Sequence, residues 1–445
     1  MRAQAVLASM RAQAGVVAPV RPSQITWLAT PSDLYDAIMQ GITTARHRVW
    51  VASLYLGTHG TRELALADAL GEAASKPGGP RVTLLLDALR GVRPTNGRGE
   101  APHSSAHVVA RRVLRGGDIG TRARAFLYKV PTARGLAARA LPNRLVEVLG
   151  VSHLKVCVFD DDVLVTGANL SEEYFWFRQD RSVCVSSAPR LANEVTRLLE
   201  AVTARAYQLA PSLSLVPPAT SLPLGDDVDA HARDDLTCDV DVDVDDDDVF
   251  IAPTLQLGSD GLRQDERTLS AVLDAAAPLD VTIASAYLNL APPYARMLSE
   301  CARELDVITA HPSCSGFRDA RGFASSYIPE AYDVLGRESV ASLDARLLHY
   351  NRPGWIFHGK GMWAHASDGS GLSLTSAGSS NWNQRSLSRD LEMQMLMVSS
   401  SNTFAASLHA EVAHLAKHAA VVEPTRGLNV PYVRRMAYGA IRSWL

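Results

Sequence analysis

The sequence predicts an α/β protein made of two related halves that share one site. Three observations predict this. Short apolar runs alternate with stretches of helical apolar spacing, the pattern of strands joined through helices. A His-x-Lys pair occurs at His153/Lys155 and again at His358/Lys360. The elements leading up to each pair recur in the same order, at a spacing too long for a solenoid, which argues for a duplicated domain.

Residues 34–46 place Leu34, Ile38 and Ile42 on one helical face. Residues 49–56 (VWVASLYL) are a short apolar run closed by Gly57, which reads as a buried strand. Residues 61–75 predict a second helix and residues 82–86 a second buried strand, with Asp87 and Arg90 following its C-terminal end. Residues 93–107 are polar and read as a loop before helical spacing resumes at 108–115. Residues 132–144 carry Arg134, Arg139 and Arg144 and read as a solvated loop, with a phosphate-facing segment as the sharper alternative. A helix over 189–207 opens on proline, a favoured first position. The second half replays this order at 269–277, 281–288 (VTIASAYL), 294–305 and 307–310, and a strand at 372–376 and a helix at 405–419 complete it. Leu54-Tyr55-Leu56 falls opposite Ala286-Tyr287-Leu288. The alternation predicts a mostly parallel sheet in each half with helices on its faces.

Around the first pair, Leu154, Val156 and Val158 alternate with His153, Lys155 and Cys157. A strand puts residues i and i+2 on one face, so His153 and Lys155 point the same way. That pairing suits phosphate chemistry: lysine neutralises non-bridging oxygens, and neutral imidazole attacks phosphorus or carries a proton. Asp160 completes an H-x-K-(x)4-D pattern just before a tight turn. The strand 163–166 then runs into Gly167 and Asn169, and in the second copy the strand 372–376 runs into Gly378 and Asn381. Asp180 precedes the strand 182–185, and Glu392 precedes the apolar run 393–398.

Two histidines, two lysines and no evident metal ligands define a reaction class. One imidazole forms a phospho-histidine, and the other moves protons to the leaving oxygen and from the incoming one. Lys155, Lys360, Asn169 and Asn381 are expected to bind the phosphoryl oxygens. Asp180 and Glu392 are expected to accept a hydrogen bond from each imidazole and fix its tautomer, with a surface ion pair as the blander alternative. An acceptor carrying its own phosphate calls for more cations, and Arg178, Arg181, Arg385 and Arg389 are the candidates; structural salt bridges are the other reading. The mechanism requires no cofactor and leaves divalent-cation stimulation open.

Composition bounds the rest. A net charge of −3 over 445 residues gives no basic field of the kind nucleic-acid binders carry. The five cysteines include no C-x-x-C, so neither a zinc site nor a disulfide framework is indicated. No apolar run of membrane-spanning length occurs. Residues 1–24 carry Arg2, Arg11 and Arg21 and no acid, the composition of a mitochondrial targeting segment; a frayed end is the alternative. Residues 211–249 end in an aspartate-rich block and read as a disordered linker, with an acidic calcium loop disfavoured because no ligand spacing supports it. Residues 421–445 form a basic, aromatic tail suited either to a membrane interface or to docking on the core. The halves are therefore expected at 25–210 and 250–420.

The two His/Lys motifs resemble those of the phospholipase D superfamily. The stretches ASLYLG (52–57), LLLDALRG (84–91), HLKVCVFDDDVLVTGANLSEEYF (153–175), RQDR (178–181), RPGWIFHGKGMW (352–363) and RDLE (389–392) are similar to the eukaryotic mitochondrial type of phosphatidylglycerophosphate synthase. The resemblance spans residues 25–420. It implies two pseudosymmetric phospholipase D-like α/β/α sandwich repeats with the active site between them. It also implies transfer of a phosphatidyl group from CDP-diacylglycerol to sn-glycerol 3-phosphate with release of CMP, toward phosphatidylglycerol and cardiolipin. The implied location is the mitochondrion, on the matrix side of the inner membrane, with peripheral membrane contact and no nucleic acid. A phosphatidylserine or cardiolipin synthase of the same fold, or a phosphodiesterase, is the alternative. The second motif departs from the superfamily pattern, because His365 stands where Asp160 stands in the first. The residues alone do not say which histidine is the nucleophile; the resemblance implies His153, with His358 as acid/base.

Overall fold

The computed structural model describes residues 2–95, 103–114, 122–134, 146–235, 247–318, 327–423 and 430–442. Successive residues of the central strands enter different cores. Trp50, Ala52, Val156, Val158, Val163 and Val165 face an apolar layer common to both halves. Val49, Val51, Cys157, Phe159 and Leu164 face an outer layer covered by the helices Pro31–Thr44 and Thr61–Ser75. That period of two is what a strand requires when both of its faces are buried.

The first-half sheet has nine strands; its path places Ala123–Tyr128, Arg81–Asp87, Arg48–Ser53, Val156–Phe159, Asp162–Thr166, Ser182–Val185 and Ile25–Leu28 side by side. In the second half the matching path is Arg346–Tyr350, Ala302–Ala310, Leu279–Ser285, Lys360–Ala366, Ser373–Gly378, Glu392–Ser399 and Val249–Leu257. Neighbour senses match as well. Arg48–Ser53 is parallel to Arg81–Asp87 and antiparallel to Val156–Phe159. Leu279–Ser285 is parallel to Ala302–Ala310 and antiparallel to Lys360–Ala366. The sheets are therefore mixed, not mostly parallel as the alternation suggests. The reason lies in the motif itself: Val156–Phe159 and Asp162–Thr166 are joined by a two-residue turn, which an antiparallel pair accepts and a parallel pair cannot.

The helices Pro189–Thr203 and Asn402–Ala416 send Leu191, Val195, Leu198, Phe404 and Leu408 into the shared layer. Each such side chain contributes about 1.5–3 kcal/mol of burial. The first motif does not begin as a strand. The ladder starts at Val156, so His153 and Lys155 stand on the segment leading into it.

The N-terminal segment, the aspartate-rich stretch and one expected loop carry regular structure that composition alone does not predict. Residues 1–24 are folded from Arg2 onward: the helix Arg2–Ala14 buries Val6, Met10 and Ala14 against Leu269, Val272 and Leu273 of the second half. Gln264 donates to the Ala14 carbonyl at 3.0 Å, and Ala18–Val20 adds an edge strand to Val249–Leu257. The spacing of Val6, Met10 and Ala14 is one face of a helix, a signal that the arginine-rich composition masks. The aspartate-rich stretch is also partly ordered, because Leu224–Asp235 is a helix whose Leu224 and Val228 are fully buried in the shared layer. Two apolar side chains one turn apart anchor it despite the charge; residues 236–246, with Cys238, lie outside the described residues. Within the expected loop at 93–107, Ser105–Val108 is helical. Arg139 and Arg144, and Trp444 and Leu445 of the tail, also lie outside the described residues.

Candidate active site

The segment before Val156–Phe159 is stitched to the other half of the molecule. His153 N donates to the Leu391 carbonyl at 2.8 Å, and Leu391 N donates to the Val151 carbonyl at 2.9 Å. Asp390 accepts from Val151 N at 2.9 Å and Asp87 accepts from Ser152 N at 2.8 Å. The second motif is stitched the opposite way. Ile356–Phe357 runs parallel to Arg178–Gln179, and His358 N donates to the Gln179 carbonyl at 2.7 Å. Each histidine loop therefore lies on the segment of the partner half that leads to an acid.

The consequence is a crossed pairing. His153 Nδ1 lies 2.9 Å from Glu392 Oε2, and His358 Nδ1 lies 2.6 Å from Asp180 Oδ2. Both acids are buried, and both imidazoles line one cavity of about 530 Å³. A Cβ on Gly167 would lie 2.1 Å from Asp180 Oδ1, which explains the glycine after the motif strand. Lys155 Nζ donates to the His153 carbonyl at 2.9 Å, and Lys360 Nζ to the His358 carbonyl at 2.6 Å. Lys360 Nζ also lies 2.9 Å from His358 Nδ1. One ring nitrogen cannot both donate to Asp180 and accept from Lys360, and the shorter carboxylate contact favours Nδ1–H as donor. Asn169 and Asn381 line the cavity, and their buried Oδ1 atoms have no hydrogen-bond partner among the described residues.

Electrostatics separates the groups. Burial lowers the pKa of His153 against the pull of Glu392. Burial, reinforced by Lys360, pushes His358 down to about 3 although Asp180 opposes it. Both imidazoles are therefore neutral in the empty site. Burial brings Lys155 to about 7 and also lowers Lys360. Burial raises Asp180, but Lys360 and His358 outweigh it and hold the carboxyl below its ordinary value. Glu392 is likewise held down, with burial overcome by His153 and Lys155.

The remaining expected site residues divide. Arg178 lines the cavity, with its guanidinium 4.6 Å from the Tyr174 ring, and Arg385 lines it while bonded to Asp390 at 2.8 Å. Arg181 does not reach the cavity. It is buried between Trp27 and Trp363 and bonds Glu411 at 2.8 Å through both Nε and Nη2, so its charge is already matched by a structural carboxylate. Arg389 lies outside the cavity and reaches the Val148 carbonyl at 3.4 Å. Asp160, grouped with the catalytic residues by its motif, sits at the strand end before the turn, as its spacing predicts, and does not line the cavity. It follows the far end of Val156–Phe159 from His153 and accepts from the backbone N–H groups of Arg46, His47 and Arg48 at 2.8–3.0 Å. Its φ of 52° marks it as a turn residue. The missing acid of the second motif is thereby explained: His365, stacked on His409 with centroids 4.0 Å apart, occupies a structural position.

Sequence reasoning missed the tyrosines. Tyr55, Tyr174, Tyr287 and Tyr332 line the cavity, and Tyr174 Oη lies 3.3 Å from His358 Nε2. The signal for Tyr55 and Tyr287 was present, since they are matched positions of the repeat. Among the described residues no group of three or more His, Cys, Asp or Glu is placed to hold a metal ion.

Two mixed sheets with crossed His–acid pairs over a common cavity define a two-repeat, phospholipase D-type α/β protein. No family model matches the chain. Its fold matches the crystal structure of phosphatidylserine synthase from Haemophilus influenzae over 99% of this chain and 100% of that one, with TM-score 0.75 and 17% identity. Curated relatives go further. The mitochondrial CDP-diacylglycerol–glycerol-3-phosphate 3-phosphatidyltransferase of Bos taurus is 31% identical over 450 residues, 91% of this chain and 79% of the relative. The Saccharomyces pastorianus enzyme of that name is 27% identical over 442 residues, 89% of this chain and 82% of the relative. The chain belongs to the CDP-diacylglycerol–glycerol-3-phosphate 3-phosphatidyltransferase family.

Proposed function

We propose that this protein transfers the phosphatidyl group of CDP-diacylglycerol to sn-glycerol 3-phosphate, giving phosphatidylglycerophosphate and CMP. The observation that carries the reading is the pair of crossed His–acid contacts over one cavity, in a chain of this family. In the first step His153 Nε2 attacks the phosphorus bearing the diacylglycerol. A P–N bond forms, the P–O bond to CMP breaks, and Glu392 stabilises the charge that develops on the ring. In the second step His358 Nε2 takes the proton of a glycerol 3-phosphate hydroxyl. That oxygen attacks phosphorus, the P–N bond breaks, neutral His153 is restored, and His358 passes its proton to the released CMP phosphate or to solvent.

The two steps ask different things of His358. CMP leaves as a phosphate whose pKa is about 6, so its departure needs little protonation. An alcohol needs a base. Pushed down to about 3, His358 enters the second step unprotonated and able to accept the proton, and the negative charge of bound substrate would raise its pKa and strengthen it as a base. Lys155, Lys360, Asn169, Asn381 and Arg178 are proposed to hold the phosphoryl oxygens. Entry of an anionic phosphate would raise the pKa of both lysines and restore their charge.

The mitochondrial name of the bovine relative supports the same compartment, and the matrix face of the inner membrane is the proposed site of work. No helix among the described residues is long and apolar enough to cross a membrane. Peripheral contact is supported by the helix Tyr432–Ile441, which exposes Tyr432, Val433 and Met436 while Arg434 and Arg435 pair with Glu330 and Glu338. The test is transfer of labelled glycerol 3-phosphate into lipid, in mixed micelles with CDP-diacylglycerol. Label enters lipid with wild type and at least about 10²-fold more slowly with His153→Ala or His358→Ala. Consumption of CDP-diacylglycerol with no label in lipid would overturn the acceptor assignment.

A further inference from the structure

The cavity holds a second cationic group that the transfer step leaves unused. Arg90 and Arg93 line it, and both reach one carboxylate, Glu147. The contacts are long: Arg90 Nη1 to Oε2 at 3.4 Å, and Arg93 Nη1 to Oε2 and Oε1 at 3.2 and 3.4 Å. Charge-assisted pairs normally close to about 2.7–2.9 Å. Two other pairs of this molecule do, Arg181–Glu411 and Arg385–Asp390, both at 2.8 Å. Glu147 is therefore loosely held, although its side chain is only 15% exposed.

The surroundings strengthen the contrast. Arg385 completes the cluster, donating through Nη2 to the Glu147 carbonyl at 2.9 Å, while its own carboxylate partner Asp390 is also engaged by Val151 N. Arg90 lies 4.9 Å from the ring centroid of Tyr55, which lines the same cavity. Three guanidinium groups face two carboxylates, so the cluster carries an excess of positive charge before any substrate enters. Lys155, Lys360 and Arg178, by contrast, accompany the two imidazoles.

We propose that Arg90 and Arg93 bind the phosphate monoester of the acceptor, and that Glu147 is a placeholder carboxylate which that phosphate displaces. This inference rests on the phosphatidyltransferase reading above. That reaction brings two kinds of phosphate into the cavity: the pyrophosphate of CDP-diacylglycerol, whose lipid-bearing phosphorus is attacked at the imidazoles, and the acceptor's terminal dianion, which does not react. A dianion offers oxygens to both guanidinium groups at once, whereas one carboxylate reaches each only at length. The cluster makes the enzyme select a phosphorylated polyol over an uncharged one: without the dianion, two half-buried cations have only their long contacts to Glu147 as charge partners.

The test uses the full chain in mixed micelles with CDP-diacylglycerol, and two substitutions predicted to act in opposite directions. Arg93→Gln raises KM for glycerol 3-phosphate about tenfold or more, with a smaller change in kcat. It also lowers the preference for glycerol 3-phosphate over glycerol by a similar factor. Glu147→Gln lowers KM for glycerol 3-phosphate, a change that a destabilised fold does not produce. Exchange of labelled CMP into CDP-diacylglycerol reports the nucleotide phosphate separately. If both variants keep the wild-type KM and acceptor preference, or if the loss in Arg93→Gln falls on CMP exchange instead, the inference is overturned. If wild type itself exchanges CMP but transfers nothing to glycerol 3-phosphate, the acceptor reading fails and takes this inference with it.

Discussion

His153 and His358 occupy matched places in matched halves, yet their second ring nitrogens meet different surroundings. His358 has Tyr174 Oη 3.3 Å from Nε2, Lys360 beside Nδ1, and a side chain only 4% exposed. His153 is 12% exposed, and no described residue hydrogen-bonds its Nε2. The crossed acids make the two rings equal in tautomer, since each donates from Nδ1 and presents Nε2 to the cavity. What differs is access. An open Nε2 can approach phosphorus in line, whereas one held by a phenol is placed to trade a proton. On the proposed mechanism, duplication supplied two equal histidines and their different flanking residues divide the work between them.

Breaking the pair tests that division. His153→Ala should reduce both lipid transfer and CMP exchange by on the order of 10⁴-fold or more, as loss of a nucleophile does. His358→Ala should reduce transfer by roughly 10²–10⁴-fold but spare much more of the exchange, because CMP needs no base. Equal losses in both assays from both variants would erase the distinction. The orienting acids come next. Glu392→Gln and Asp180→Asn keep the shape but remove the charge that fixes each tautomer, and each should cost roughly 10²–10⁴-fold in transfer. Glu392→Gln is expected to suppress exchange and Asp180→Asn to suppress mainly transfer, because each follows the histidine of the opposite half. The reverse pattern would mean that the crossed contacts do not operate in catalysis.

Smaller effects sharpen the account. Lys155 is brought to about 7 by burial, so it carries its proton below that pH and loses it above. The kcat/KM for CDP-diacylglycerol should therefore fall as pH rises through about 7, and a pH profile flat to about 9 would contradict this. Both imidazoles are lowered, so no loss is expected on passing down through their ordinary range near 6.5. Arg181→Met leaves Glu411 without its cation, with only Trp363 Nε1–H still donating to it, and should destabilise the fold by about 3–5 kcal/mol, read as a lower Tm, while KM for the acceptor stays near that of wild type. Asp160→Ala should cost about 1–3 kcal/mol of stability, with kcat/KM nearly unchanged in protein that stays folded.

The halves, the histidines, the lysines and the two acids were legible because duplication writes each twice. Asp180 and Glu392 could be found from their place before matched strands, but their crossing could not. It depends on how one half sits on the other, and no periodicity within a half reports that. Asp160 shows the opposite hazard. Its motif membership grouped it with His153 and Lys155, whereas a strand of four residues separates it from them and leaves it at the far strand end. Arg181 was indistinguishable from Arg178 by type and neighbourhood, and only the tryptophans and Glu411 around it separate structural from cavity-lining cations. The N-terminal helix was hidden by composition, although Val6, Met10 and Ala14 held the pattern that buries it.

The most direct test of the division between the two histidines is to trap the covalent intermediate. CDP-diacylglycerol labelled in the transferred phosphate is mixed with His358→Ala enzyme and no acceptor, then quenched at neutral or alkaline pH, where phosphoramidates survive, and mapped by peptide. The account predicts label on His153 alone, released on adding CMP and far more slowly on adding glycerol 3-phosphate. Label on any other residue, or rapid transfer to glycerol 3-phosphate with no phospho-enzyme formed, would contradict it.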